Sequence, residues 1–106
     1  MIGWYDKQLR QITAEEANAL FADPDYKRVG WTDLGGVIVS TVWLGLDYSV
    51  TGRMHLFETM VFEAENGRVK NWRELDCTRY STEDEAKEGH ENFVALWREK
   101  TTGGAP

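Results

Sequence analysis

The chain has 106 residues, 42% of them hydrophobic, and eighteen acidic against twelve basic residues give a formal net charge of −6. That length fits one domain with a modest core, which five Trp, four Tyr and four Phe can hold without staples. The charge and the lack of a Lys/Arg cluster disfavour direct nucleic-acid binding, Cys77 as the single cysteine rules out an internal disulfide, and no apolar run reaches the roughly 18 residues that span a bilayer. The expectation is a soluble protein of a reducing cytoplasm, with no leader and no membrane contact.

In chain order, "TAEEANALF" opens with a capping box, Thr13 with Glu16, and sets Ala17, Leu20 and Phe21 on one helical stripe before Pro24. "YKRVGWT" and "GVIVSTVWLGL" then read as strands around a "DLGG" turn. "MHLFETMVFEAE" is the next strand, and Asn66-Gly67 is the strongest short hairpin signal in the chain. "RVKNW" returns from it, continuing irregularly toward Tyr80. "STEDEAKEGHENFVALWREK" closes the fold as a helix capped by Ser81 or Thr82, with Ala86, His90, Phe93, Val94 and Trp97 on one stripe. The prediction is α+β: a three- to four-stranded antiparallel meander with a short N-terminal and a longer C-terminal helix packed on it, one domain over residues 1–100 and a disordered tail over 101–106.

Two tight hairpins would fix which side chains are neighbours. A turn at Asn66-Gly67 puts Glu58 opposite Leu75 and Met60 opposite Arg73; a turn at Thr51-Gly52 puts Met60 opposite Trp43 and Leu56 opposite Asp47. One face then carries Thr41, Trp43, Asp47, Glu58, Met60 and Arg79, with Cys77 beside them, while Ile38, Val42, Leu44, Leu46, Phe57 and Val61 form the principal core. Glu58, in a row with Met54, Leu56, Met60 and Phe62, must be solvated, paired or protonated. Two readings stand: an ion pair with Arg79 or Arg73 or plain exposure, and a polar pocket beside Trp43 in which Asp47 and Glu58 orient a ligand or share a proton.

His90 falls on the apolar stripe of the last helix, where it serves either as a buried histidine bonded to a strand or as an acid–base group. Gly89 before it costs about 1 kcal/mol relative to Ala in a helix and allows close approach of a strand or ligand. Neither a Gly-x-Ser-x-Gly elbow nor a phosphate loop is present, and His55 and His90 lack metal-ligand spacing. No cofactor or metal is expected.

The segments "VSTVWLGLD", "FETMVF" and "RYSTEDEAKEGH" together resemble a group of small bacteriophage- and prophage-encoded proteins whose activity is uncharacterised. The likeness runs over residues 37–94 in order and implies that Thr41, Trp43, Gly45, Asp47, Phe57, Glu58, Arg79, Tyr80, Glu85 and His90 are motif positions. Tyr48 stands where the family pattern has His, and the chain between Asn66 and Thr78 is longer than the pattern, which predicts a bulged or extended strand. The resemblance implies a phage origin and the cytoplasm of an infected bacterium.

Three functions follow as expectations. The first is a non-enzymatic accessory protein that binds a host or phage macromolecule through Trp43, Asp47, Glu58, Arg79, Tyr80 and His90, with an open sheet edge leaving room for a homodimer. The second is a small-ligand binder that sequesters a nucleotide signal, with Trp43 or Tyr80 stacking on a base and Arg79 meeting a phosphate, in a pocket between sheet and closing helix. The third, ranked last, is a small hydrolase using Asp47, Glu58 and His90.

Overall fold

A computed structural model describes residues 3–47 and 54–102, and the fold is α+β. The elements are β1 (Gly3–Tyr5), β2 (Gln11–Ile12), α1 (Ala14–Phe21), α2 (Pro24–Lys27), β3 (Arg28–Asp33), β4 (Val37–Trp43), β5 (Leu46–Asp47), β6 (Phe57–Glu65), β7 (Arg68–Tyr80) and α3 (Glu83–Thr102). β3, β4, β6 and β7 form the expected antiparallel meander; β2, β1 and β5 form a second, three-stranded sheet that the sequence did not announce. β1 and β2 were hidden because two- and three-residue strands carry no readable period. Their hairpin is closed by Asp6, whose Oδ1 accepts from the Gln8 and Arg10 amides, both at 2.9 Å.

Both helix starts follow the sequence. Thr13 and Glu16 exchange side-chain bonds with each other's backbone at the head of α1. Thr82 accepts from the Glu85 amide at 3.1 Å, while the Thr82 amide donates to the Glu85 carboxylate at 3.2 Å. Pro24 does not only stop α1; with Asp23 as cap it begins the single turn of α2. α3 runs through Thr101 and Thr102, so the expected tail is helical at its first two residues, and residues 103–106 lie outside the described residues.

The registers correct the expected faces. Met60 pairs with Ser40 rather than Trp43, a slip of three residues, and an odd slip turns every side chain over. Val37, Val39, Thr41 and Trp43 therefore share a face with Phe57, Thr59 and Val61, and this face, not the one carrying Ile38 and Val42, packs against α3. The Thr51-Gly52 turn that set the expected register lies outside the described residues. On the other side, Glu65 pairs with Arg68 as expected, but bulges between Val61 and Ala64 displace the ladder until Glu58 meets Arg79 instead of Leu75. That slip of four keeps Glu58 and Arg79 on a common face, and it is the extended return that the length between Asn66 and Thr78 predicted.

The core has two parts under one helix. Val37, Val39, Val61 and Val94 form one, with Phe93 and Trp97 against them; Trp43, Leu56, Phe57 and Ala86 form the other, joined by Tyr5, Leu20, Phe21, Tyr26 and Tyr80. Each large apolar side chain taken from water stabilises by about 1.5–3 kcal/mol. The stripe read on α3 is the face that makes these contacts.

Candidate functional site

The register separates the residues expected to form one site. Trp43 is fully buried in the core, its ring 4.8 Å from Phe21 and 5.1 Å from Tyr26 between centroids, and its Nε1 donates to the Tyr5 carbonyl at 2.9 Å. Its closeness to the chain explains Gly45, which has φ +77° and whose added Cβ would lie 2.9 Å from the indole. There the backbone turns out of β4 into β5. Asp47 is consequently in the other sheet, buried opposite Gly3, and not beside Glu58.

Glu58 and Arg79 do meet. The Arg79 Nε donates to Glu58 Oε2 at 2.8 Å, and the Cys77 thiol points at the same oxygen from 3.4 Å. The carboxylate is buried and its arginine half-exposed, so the pair is anchored at one end and solvated at the other. Burial pushes the Cys77 thiol up to about 12, and the Glu58 charge and hydrogen bond push the same way. A thiol so placed is not a thiolate at neutral pH, which removes it as a nucleophile.

His90 lies on the opposite face, against α3's side of the sheet. Its Nδ1 is 2.7 Å from the Thr41 hydroxyl and its Nε2 is 2.9 Å from that of Thr32, while Thr41 and Thr59 are bonded to each other at 2.5 Å. Both ring nitrogens are spent on strands, as a structural histidine requires, and burial lowers its pKa. Gly30 makes this contact: a Cβ there would stand 2.8 Å from the imidazole. Tyr80 has the same relation to Gly89, where a Cβ would meet the phenol at 2.2 Å. Its hydroxyl is buried beside Thr59 without reaching hydrogen-bond geometry, and burial raises its pKa. Asp47, Glu58 and His90 thus occupy a second sheet and two opposite faces of the first, which is no acid–base constellation. The expected pocket between sheet and closing helix is filled by core side chains at the positions of Val39, Val61, Phe57 and Trp43.

An aromatic cleft opens on the other side of the four-stranded sheet, beside α2, although Ile38, Ser40 and Glu58 of that face are buried. Trp31 pairs with Ser40 and so points away from α3, and Trp72, lifted by the bulge in β7, lies edge-on to Phe62 at 5.2 Å. Trp31 is 38% and Trp72 70% exposed. Together with Pro24, Lys27, Arg28, Ser40 and Val42 they line a cleft of about 230 Å³. Arg28 lies over the Trp31 ring at 4.8 Å and Lys27 over Phe21 at 5.5 Å, and among the described residues neither makes an ion pair. The sequence carried a faint signal of this in "KRVGW", two adjacent cations with an aromatic three residues on, but Trp72 required knowledge of the bulge. Among the described residues no group of three or more His, Cys, Asp or Glu could hold a metal ion, and no helix is long and apolar enough to cross a membrane. Comparisons with protein-family models, curated proteins and solved structures found no match.

Proposed function

We propose that this chain is a non-enzymatic binding protein that acts in the cytoplasm of an infected bacterium by engaging a host or phage macromolecule. The phage setting rests on the three ordered motifs in the sequence. The binding role rests on one observation: Trp72, 70% exposed, lines a surface cleft together with Trp31 on the side of the four-stranded sheet away from α3. Exposed indoles next to an arginine are the side chains that most often dominate interface energies. The working residues are therefore Trp31, Trp72 and Arg28, not Trp43 and His90, whose burial commits them to the fold.

Affinity capture from lysate of the bacterial host tests this reading, using wild type and the surface variants Trp72→Ala and Arg28→Glu. The expected result is a defined protein retained by wild type and lost by both variants. Equal capture by all three chains would sink the assignment of this face.

A second reading, sequestration of a small ligand, is favoured by the cleft itself, which is concave, aromatic-walled and edged by Lys27 and Arg28.

A further inference from the structure

We infer that the cleft between Trp31 and Trp72 is a site for a free nucleoside phosphate, its base against the indoles and its phosphate at Lys27 and Arg28. The inference rests on the small-ligand reading above and supplies its ligand class.

Four features of the cleft carry it. Its walls are two indoles, and an indole face accepts any nucleobase by stacking. Its edge holds two cations that make no ion pair among the described residues, on a chain of net charge −6. Unpaired positive charge on so acidic a molecule is locally complementary to an anion, and an arginine already stacked on Trp31 loses little freedom when it meets a phosphate. The Ser40 hydroxyl, in the strand at the cleft floor, can donate to or accept from a base edge or a ribose. Finally, among the described residues no carboxylate, imidazole or thiol lines the space, so these residues hold an anion without repelling it or supplying acid–base chemistry to it.

Size and charge choose the free nucleotide over the alternatives. A cleft of about 230 Å³ can be filled by a compact molecule alone, whereas a protein partner would have to cover the surface around it as well. A nucleic-acid strand would bring many phosphates against the acidic remainder of the surface. A single nucleotide is confined to the neighbourhood of Lys27 and Arg28, because charges beyond about 8 Å are largely screened in physiological salt.

Calorimetric titration with AMP, GMP, CMP and UMP and their triphosphates, at physiological ionic strength, tests the inference. The expected result is saturable binding of at least one of them, with adenosine or the matching nucleoside and inorganic phosphate each weaker by about tenfold or more. Trp72→Ala and Arg28→Ala, both at exposed positions, should each weaken it by a similar factor. No heat with any nucleotide at about 1 mM, or binding that both variants leave intact, overturns the proposal. A single-stranded oligonucleotide of about twenty residues that binds more tightly than every mononucleotide, and loses binding in the same variants, overturns it in favour of a polymer. Capture of a host protein that depends on Trp72 in the absence of any nucleotide binding also overturns it, while leaving the macromolecular reading intact. Nucleotide binding without such capture does the reverse.

Discussion

Glu58 is held where an isolated carboxylate would be expensive. It is buried on the sheet face away from α3, and its charge is met by one guanidinium at 2.8 Å and one thiol at 3.4 Å. Removing one partner of a buried charge leaves the other unsatisfied, which costs more than the pair ever contributed. Arg79→Met should therefore destabilise by about 1–3 kcal/mol, less than for a fully enclosed pair because Arg79 is half-exposed. The thiol gives a finer readout. Because burial and then Glu58 push Cys77 to about 12, native protein should react slowly with a thiol reagent at neutral pH, and Glu58→Gln should speed the reaction while the fold is intact. An unchanged rate in that variant would show that burial alone protects the sulfur. An ion pair of Glu58 with Arg79 or Arg73 was one of the readings open from the sequence; which arginine it meets was not legible, because the β7 bulges set the register.

At the scale of elements, two glycines record how closely α3 approaches the sheet. Gly89, inside the helix, faces the Tyr80 ring, and Gly30, in β3, faces the His90 ring. Replacing a helical glycine with alanine ordinarily stabilises by about 1 kcal/mol. Here the sign should reverse: a Cβ at 2.2–2.3 Å from Tyr80 forces the phenol or the helix to move, at an overpacking cost of about 1–3 kcal/mol. Chemical denaturation of Gly89→Ala checks this, and a midpoint at or above that of wild type would mean that Tyr80 swings aside freely. The helix stripe, the Thr13–Glu16 capping box and the Asn66-Gly67 hairpin were readable because they depend on short spacings within one stretch of chain. The site was not. Whether Trp43 or Val42 faces α3 depends on an odd or even slip in a hairpin, and that parity is decided by tertiary packing rather than by any local residue. The same parity buries Trp43 beneath α3 and turns Trp31 to the other side of the sheet.

Across the whole molecule, the small sheet is tied to the large one by the bond from Trp43 to the Tyr5 carbonyl and by the shared packing of Phe21 and Tyr26. Two core clusters built on the same strands β4 and β6 and the same helix α3 should unfold in a single transition, so groups in different elements act on one stability. Two of them respond to acid. His90 binds α3 to β3 and β4 in its neutral form: burial lowers its pKa from 6.5, with Glu91 opposing weakly. Burial pushes the Asp6 carboxyl up, but the Arg10 and Gln8 amides and the Arg10 guanidinium together bring it below 3.8. Each folded value is lower than its unfolded one, so each contribution is complete above the unfolded value and is lost as pH falls through the window below it. The urea midpoint should therefore begin to fall below pH 6.5 as unfolded chains take up the His90 proton, and fall again below pH 3.8 as they take up that of Asp6. His90→Gln should be less stable than wild type at neutral pH, having lost a fitted bond to Thr41 or Thr32, yet it should lack the first decline. Parallel wild-type and His90→Gln curves between neutrality and about pH 5 would refute the role given to the imidazole. Asp6→Asn should keep the first decline and flatten the second, which separates the hairpin's contribution from that of the helix.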